Sequence, residues 1–315
     1  MRFTDSIGIP APIKKAIEWQ TSSHNPRSDI SCTTLIGPPL LRWLRKRYEP
    51  YLVQDYRKML WVLHGSLIHL LLEKFGSSEN SHAEKTVKTS INGWVVSATL
   101  DYVLEGDCLT DYKYTSVWAS KGGVKDEWTA QLNVGLYLLR NDPETHDIGA
   151  GINKLSICIW YRDWRTSEKE DFPNEIETLP VDVWSNDKTR AYIEERVRLH
   201  QQFDGDGIPP ICTDKERWLT DFAIMKNGRK TAVRAKFPTR EDAEAALVEF
   251  KCDYIREASP KRCVAYCAYG ACGFCPYWNP ETQQVRPTPT IVKIPESYDD
   301  KTAKLDQEKR KDVDV

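Results

Sequence analysis

Several features that mark membrane, secreted and repeat proteins are missing from the 315-residue sequence. It has no run of eighteen apolar residues, which excludes an ordinary membrane-spanning helix, and its first residues lack the apolar core of a signal peptide. The 44 basic and 46 acidic residues leave a net charge of −2, so any nucleic-acid contact must come from a local patch. No internal repeat is present. These absences predict an intracellular globular protein with no membrane partner.

The nine cysteines are unevenly placed along the chain. Five are scattered: Cys32, Cys108, Cys158, Cys212 and Cys252. The others fall within thirteen residues, at Cys263, Cys267, Cys272 and Cys275. In a reducing compartment such crowding is more often a metal or cluster site than a disulfide framework.

The stretch from Trp94 to Tyr114 predicts two strands joined by a turn at Glu105–Asp107, because β-branched and aromatic residues flank a Gly-Asp pair. Three charged side chains interrupt these strands: Asp101, Asp111 and Lys113. Side chains alternate along a strand, so the last two leave the same face. Carboxylates converging there predict a site for a hard divalent cation and an activated water. The alternative is a solvated charge pair on an exposed strand.

A helix is predicted over about residues 55–75, with leucines at helical spacing that mark a buried face, namely Leu63, Leu67, Leu70 and Leu71. His69 lies in this stretch, either as an ordinary core histidine or as a metal ligand beside the carboxylates. Gly65, four residues earlier, predicts a close approach of the helix to another element.

A basic helix is predicted over Leu40–Tyr48, with Pro38 and Pro39 at its start. Its cations are Arg42, Arg45, Lys46 and Arg47. Together with Trp43 they predict either a surface that grips phosphates and stacks a base or an amphipathic helix with a solvated basic face.

The remaining pattern divides the chain into four parts. Helices are predicted near 11–19, 125–140, 185–202 and 239–255, a strand over 154–163, and a polar connection over 165–180. The predicted parts are an N-terminal extension (1–30), a core (31–205), a cysteine lobe (206–280) and a Pro/Thr-rich, then charged, disordered tail (281–315).

The order of these elements resembles the PD-(D/E)XK nuclease superfamily in its RecB-like branch. Within that branch it is similar to the CRISPR-associated and phage-encoded exonucleases that carry an iron–sulfur cluster. The resemblance covers residues 31–278, most of the chain. It implies an α/β fold with a restriction-endonuclease-like core, in which helices flank a mixed central sheet, and a cysteine-rich C-terminal lobe.

The resemblance also assigns roles to the polar residues. Gly65 and His69 match a Gly-X-X-X-His element whose histidine binds metal. Asp101 matches the first acidic residue of the core motif, Asp111 its second and Lys113 its lysine.

The following helix carries the last motif. Gln131 matches the glutamine of Gln-X-X-X-Tyr, but the tyrosine slot holds Gly135 and the nearest tyrosine is Tyr137. The implied role of Gln131 is to position Lys113 or the substrate backbone.

The implied chemistry is metal-assisted phosphodiester hydrolysis. Asp101 and Asp111, with His69 and the carbonyl of Tyr112, would hold Mg²⁺ or Mn²⁺, and an imidazole ligand favours manganese. Lys113 would orient the attacking water and stabilise developing negative charge.

In the resembling nucleases, three C-terminal cysteines combine with one far upstream. The usual upstream position falls near residues 37–39, where no cysteine stands. Cys32 is close by and is interpreted as an ordinary buried residue. The preferred ligand set is Cys212, Cys263, Cys267 and Cys275. Alternatives are Cys272 as a ligand and the four consecutive C-terminal cysteines as the set. The metal is an iron–sulfur cluster or, alternatively, zinc, with a structural role.

The function implied is a metal-dependent DNA exonuclease acting on single strands or duplex ends in recombination, repair or phage DNA metabolism. It would act inside the cell, or in the host cytoplasm if phage-encoded. A helicase or recombination partner is possible, though none is identified. The alternatives are a non-catalytic nucleic-acid-binding protein with a zinc or iron–sulfur module, and an endonuclease of the same fold.

Overall fold

A computed structural model describes residues 1–22, 28–168 and 170–292, and it divides the chain into two compact units. We call them the carboxylate unit (3–37 and 55–207) and the cysteine unit (1–2, 38–54 and from 208 onward). This division differs from the predicted parts in two places. Residues 38–54 belong to the cysteine unit, not to the core, and most of the predicted extension belongs to the carboxylate unit.

The helices and strands follow one another in mixed order. The helices are α1 (Ala11–Ser22), α2 (Cys32–Ile36), α3 (Pro39–Tyr48), α4 (Tyr56–Gly76), α5 (Val117–Ser120), α6 (Asp126–Asn141), α7 (His146–Ala150), α8 (Asn186–Gln202), α9 (Arg240–Glu249) and α10 (Ala268–Ala271). The strands are β1 (Arg2–Thr4), β2 (Ile30–Ser31), β3 (Val53–Asp55), β4 (Ser81–Ile91), β5 (Trp94–Leu104), β6 (Cys108–Thr115), β7 (Lys154–Tyr161), β8 (Ile176–Val181), β9 (Phe222–Met225), β10 (Arg234–Phe237), β11 (Tyr254–Arg256), β12 (Trp278–Asn279) and β13 (Gln284–Val285). No helix in the described ranges is long and apolar enough to cross a membrane.

The carboxylate unit is built on a six-stranded mixed sheet of order β2-β5-β6-β7-β8, with β4 paired to β5. Pairs β4–β5, β5–β6 and β7–β8 are antiparallel, whereas β6–β7 and β2–β5 are parallel. The β6–β7 connection contains α6, as parallel neighbours require a crossover. The predicted mixed sheet flanked by helices is therefore confirmed. The prediction of a plain connection over 165–180 is wrong, because β8 begins within it and adds the edge strand.

The principal core lies between this sheet and helices α6 and α8. It contains alternate residues of the strands and the apolar stripe of each helix, among them Leu100, Val103, Leu109, Ile157, Ile159, Val134, Leu138 and Ile193. The side chains of Ser185 and Asn133 fix the two helices. Ser185 Oγ caps α8 by accepting from Lys188 N–H, and Asn133 Oδ1 accepts from Trp184 N–H at 2.7 Å.

Helix α4 departs from its predicted packing. Its first half packs on α1 through Ile17, Tyr56 and neighbouring apolar residues. In the second half Leu67, Leu70 and Leu71 are about half exposed, so the predicted buried face is wrong there. Helical spacing defines a face but not the element that covers it, and the described contacts of α1 end near the middle of the helix, where Gln20 donates to Ser66 Oγ.

In the cysteine unit, α3 packs into an aromatic cluster with the C-terminal cysteine segment. Trp43, Leu44 and Tyr48 meet Phe274 and Trp278, and the Tyr48 and Phe274 rings stack at 4.9 Å. This burial is why residues 38–54 leave the core unit. A second, small sheet of order β10-β9-β11 packs on α9, which ends at Glu249, well before the predicted residue 255.

Order continues beyond the predicted start of the tail. Strand β13 pairs with β12, and the Tyr48 hydroxyl donates to the carbonyl of Val292. Disorder from residue 281 is therefore wrong for 281–292. The rest of the predicted tail, 293–315, lies outside the described residues.

Candidate active site

Asp101 and Asp111 occupy equivalent positions on the two strands of the hairpin. Strands β5 and β6 pair as Tyr102–Thr110, Val103–Leu109 and Leu104–Cys108, and one further step in that register places Asp101 opposite Asp111. At this point the Tyr112 N–H donates to Asp101 Oδ2 at 2.7 Å. The two strands therefore part at the carboxylates, and the Asp101 side chain bridges the fork.

The side chains of β5 change face at Asp101. Leu100 faces α6, where its Cδ2 lies 2.8 Å from the position that a Cβ on Gly135 would take. The Tyr102 ring instead packs against Gly76 of α4. In a regular strand, residues two apart share a face. The alternation is therefore interrupted at Asp101, whose carboxylate meets His69 and the Tyr112 N–H.

Glu84 of β4 lies across from Asp101 and was not predicted. Its neighbours Ala83 and Lys85 pair with Tyr102 and Leu100, and its own φ is +50°, a left-handed value that a carboxylate residue adopts at a functional or strained position. The sequence signal for this residue is the Asn-Gly turn at 92–93, which fixes the register of the β4–β5 hairpin.

His69 of α4 completes a group of three potential ligands. Its Nδ1 lies 3.0 Å from Glu84 Oε1 and 3.8 Å from Asp101 Oδ1. Ligand atoms of these three residues all lie within 4.8 Å of one another, and within 1–22, 28–168 and 170–292 no other group of three His, Cys, Asp or Glu residues is as tight. The structure thus brings His69 to the hairpin carboxylates.

A closed ring of polar contacts holds the other half of the site. Lys113 Nζ lies 2.7 Å from Asp111 Oδ2 and donates to Gln131 Oε1 at 3.2 Å. Gln131 Nε2 donates to Asp111 Oδ1 at 2.8 Å. The amide thus presents its oxygen to the cation and its nitrogen to the carboxylate, which orients both charged groups.

The electrostatics of the site favour an added positive charge. Burial, reinforced by the charge of Asp111, raises the pKa of Asp101 to about 7. Burial also raises the pKa of Asp111, against the opposing effect of Lys113. The pKa of His69 is raised chiefly by its hydrogen bond to Glu84. Clustered carboxylates with one imidazole are a donor set suited to Mg²⁺ or Mn²⁺.

Three predicted details are changed or limited by the structure. Among the described residues no atom lies within 4 Å of a Cβ added to Gly65, so the predicted close approach at this glycine is wrong for that part of the chain; the helix approaches the sheet at Gly76, where a Cβ would lie 3.0 Å from Ala83 Cβ. Tyr112 adjoins the site through its N–H, and a role for its carbonyl stays a prediction. Tyr137 packs against the core.

A tyrosine at the last position of the Gln-X-X-X-Tyr motif would require Leu100 to move. Its slot, Gly135, faces Leu100 so closely that any side chain there would displace the leucine. Glycine instead lets α6 lie against β5, which carries Gln131 toward Lys113.

The cysteine unit contains six cysteines, namely Cys212, Cys252, Cys263, Cys267, Cys272 and Cys275. Burial raises the pKa of Cys212 to about 12, with smaller contributions from Cys275 and Cys263. Burial likewise raises the pKa of Cys275 to about 12, and Cys267 and Cys263 add to it. Cys272 Sγ donates to the Val53 carbonyl at 3.4 Å. The thiols of the preferred set thus raise one another's pKa values, and Cys272 likewise adds to the raised pKa of Cys267. All of these cysteines are free thiols, and which four bind a metal stays a prediction.

Helix α3 cannot stack a base through its tryptophan. Trp43 is only 3% exposed, and the Arg47 guanidinium lies 4.4 Å from its ring centre. Arg45 hydrogen-bonds Tyr269, and both Arg45 and Lys46 reach the surface. The predicted stacking is wrong, and a phosphate contact by Arg42, Arg45, Lys46 and Arg47 stays a prediction.

Comparison with known proteins identifies no family for this chain. No protein-family model and no curated protein matches the chain. A solved structure described as "Crystal structure of SSO0001" is similar at 16% identity, over 59% of this chain and 84% of that one, with a TM-score of 0.42. A likeness at this level carries no argument about activity.

Proposed function

We propose that the chain is a metal-dependent nuclease of the PD-(D/E)XK type that hydrolyses DNA phosphodiester bonds, with a restriction-endonuclease-like core in the carboxylate unit. The observation that carries the proposal is the fork between β5 and β6. There, Asp101 and Asp111 face each other with His69 and Lys113 beside them. Exonuclease action on single strands or duplex ends is the form that we expect.

The donor set fits a divalent ion. Asp101, His69 and Glu84 form the compact group of potential ligands. Asp111, whose charge helps to raise the pKa of Asp101, would complete the set that holds Mg²⁺ or Mn²⁺. When bound, the ion acidifies a water and neutralises charge on the scissile phosphate. The raised pKa of Asp101 supports this assignment, because a buried cluster of carboxylates is unfavourable unless a cation balances it.

Lys113 supplies the fixed positive charge of the site. Its contacts with Asp111 and Gln131 hold the ammonium in one orientation, so little reorganisation is needed when negative charge develops on the phosphate. Asp111 is held in turn by Gln131, which leaves its carboxylate oriented before substrate arrives.

For the cysteine unit we propose an iron–sulfur cluster held by Cys212, Cys263, Cys267 and Cys275, with a structural role. Thiolates can ligate either zinc or a four-iron cluster. The spacing Cys263-X₃-Cys267-X₄-Cys272-X₂-Cys275 lacks the paired Cys-X₂-Cys knuckles of a zinc ribbon, which favours the iron–sulfur cluster.

The test is cleavage of end-labelled single-stranded DNA and of closed circular duplex with Mn²⁺, Mg²⁺ or EDTA. Asp111→Asn is expected to lower the rate by roughly a thousandfold or more without loss of folding. Asp107→Asn is the matched control, because Asp107 lies in the turn of the same hairpin and pairs with Lys154 at the surface. Equal cleavage by both variants would overturn the proposal. Metal-independent binding without product would establish the non-catalytic alternative, and cutting of the closed circle the endonuclease.

A further inference from the structure

A row of aromatic side chains, most of them exposed, lies in the carboxylate unit where α4 meets strands β6 and β7. We call Trp61, His64, Tyr114, Trp160 and the flanking Arg162 the aromatic strip. Neighbouring ring centres lie 5.6 Å (Trp61–His64), 6.4 Å (His64–Tyr114) and 6.1 Å (Tyr114–Trp160) apart, and the Arg162 guanidinium lies 4.6 Å from the Trp61 ring centre.

The fold fixes this row rather than leaving it as loose surface residues. Tyr114 and Trp160 are register partners on β6 and β7, and the Arg162 N–H donates to the Thr115 carbonyl at 2.9 Å. All three ring contacts are edge-to-face, with interplanar angles of 82–86°. Such contacts stabilise aromatic rings in fixed orientations, so the strip is preformed.

Two tryptophans of the strip remain open to solvent. Trp61 is 57% exposed and Trp160 is 46% exposed. Large apolar rings grouped at a surface, with a cation beside them, mark an interaction site more often than chance exposure. The arginine adds positive charge and narrows the choice of ligand to one that carries both flat rings and negative groups.

The strip shares two elements with the proposed catalytic residues. His64 precedes His69 by five residues in α4, roughly 7.5 Å along the helix axis. In β6, Tyr114 follows Lys113, so the two side chains leave opposite faces of the strand, and the rings lie on the side of the sheet that α4 covers. A nucleic-acid strand bound along the rings would therefore approach the fork from the α4 side, where His69 meets Asp101.

We propose that the aromatic strip binds the unpaired bases of a single-stranded nucleic acid, so that the substrate of the site is a single strand or a frayed end. This proposal rests on the proposed nuclease function. Bases in a duplex are stacked on one another and do not offer their faces to side chains, whereas unpaired bases stack on aromatic rings irrespective of sequence. Arg162 would contact the accompanying phosphates.

The first experiment measures binding without cleavage. Fluorescence anisotropy in EDTA would compare a labelled single-stranded oligonucleotide with a blunt duplex of the same length. Trp61→Ala and Trp160→Ala are each expected to weaken single-strand binding by roughly 5- to 100-fold, with little change for the duplex. Trp61→Phe and Trp160→Phe should recover most of the affinity.

Trp118→Ala is the matched control. Trp118 is 68% exposed in the same unit and carries Lys121 over its ring, but it lies outside the strip. Its loss should leave both affinities unchanged. Arg162→Gln should reduce the slope of log affinity against log salt by about 0.7 for the single strand, a readout that does not depend on the tryptophan variants folding.

Unchanged single-strand affinity in the Trp61, Trp160 and Arg162 variants would overturn the proposal, as would an equal loss for single strand and duplex. Hydrolysis of bis(p-nitrophenyl) phosphate by the wild-type chain with Mn²⁺, and its loss in Asp111→Asn, tests the nuclease function separately. This small diester has no bases to stack, so failure of the strip and failure of the catalytic site give different results.

Discussion

Different interactions hold the side chains of the carboxylate site and of the cysteine group in place. In the first, polar side chains hold one another: Asp111 contacts both Lys113 and Gln131, and Asp101 accepts from a main-chain N–H. In the second, the thiols are held mainly by burial among aromatic rings, and Cys267 Sγ accepts from Gly270 N–H at 3.4 Å. The first site is thus organised by the protein alone, whereas the second lacks comparable cross-contacts among the described residues.

This difference has consequences for the loss of metal. Removing an ion from the carboxylate site should leave its geometry intact but unbalance its charge. Removing a cluster from the cysteines should remove the bonds that join separate segments of that unit. The predictions below separate the two cases.

Among the predictions of this comparison, a loss of activity close to that of Asp111→Asn is expected for Lys113→Met, which removes the fixed cation and keeps the length of the side chain. Cleavage of end-labelled DNA with Mn²⁺ should fall by about a thousandfold, the upper range for loss of one charge-stabilising group. Lys121→Met is the control, because Lys121 pairs with Asp171 at the surface. A Lys113→Met enzyme that cleaves within about tenfold of the wild type would remove Lys113 from the chemistry.

A change in the cysteine group should act on stability instead. Cys212→Ala is expected to lower the iron content and the visible absorption of anaerobically purified protein, and to reduce stability by about 3 kcal/mol, since a structural metal site contributes to folding directly. Cys272→Ala is the control, because the Cys272 thiol bonds the Val53 carbonyl. Loss of iron in Cys272→Ala but not in Cys212→Ala would favour the four consecutive cysteines as ligands.

The pH dependence of stability should report the charge imbalance of the metal-free carboxylate site. The pKa of Asp101 is about 7 in the folded chain against an ordinary value of 3.8, so the folded state binds this proton more tightly than the unfolded state. Its contribution to stability is complete below 3.8 and is lost as the pH rises through about 7. The pKa values of Asp111 and His69 are also raised, which gives the same sign.

The melting temperature in EDTA should therefore fall between about pH 5 and pH 8, by the equivalent of roughly 2 kcal/mol. Asp101→Asn should flatten most of this fall and melt higher than the wild type at the alkaline end of that range, while Asp107→Asn should follow the wild type. Mn²⁺ should raise the wild-type melting temperature most at high pH. A wild-type melting temperature that rises across the same pH range would contradict this account.

Local structure was the part most open to prediction from sequence. The hairpin of β5 and β6 is confirmed, because β-branched residues and Gly106, with its φ of +69°, specify strands and turn without help from the rest of the fold. Counting outward from that turn is enough to set Asp101 opposite Asp111. The spacing of Asp111 and Lys113 likewise gives them one face of β6.

The sequence alone did not predict which elements pack against each other. The spacing of Leu67, Leu70 and Leu71 describes a helical face but cannot show that α1 covers only the earlier turns. Trp43 is buried because Phe274 and Trp278, far along the chain, pack with it. A pattern of neighbouring residues cannot predict a contact between residues that are so far apart in the sequence.

The position of Glu84 combines a predictable local register with an unpredicted tertiary contact. Its substitution is expected to have the smallest effect. The Asn-Gly turn at 92–93 sets a register that pairs residue 91 with residue 94, and counting back from it reaches Glu84 opposite Asp101. Glu84→Gln keeps an acceptor for His69 but removes one negative charge. It should weaken Mn²⁺ binding by roughly tenfold, as loss of a supporting group at a metal site does, and saturating Mn²⁺ should restore most of the cleavage rate.

Titration of cleavage against Mn²⁺ concentration measures this shift. Glu79→Gln is the control, because Glu79 is exposed just before β4. Asp101→Asn should lose activity that added Mn²⁺ does not restore, which separates a residue that tunes affinity from one on which the site depends. If Glu84→Gln behaves like Asp101→Asn, Glu84 belongs with the essential carboxylates. If it behaves like Glu79→Gln, its place beside His69 is structural only.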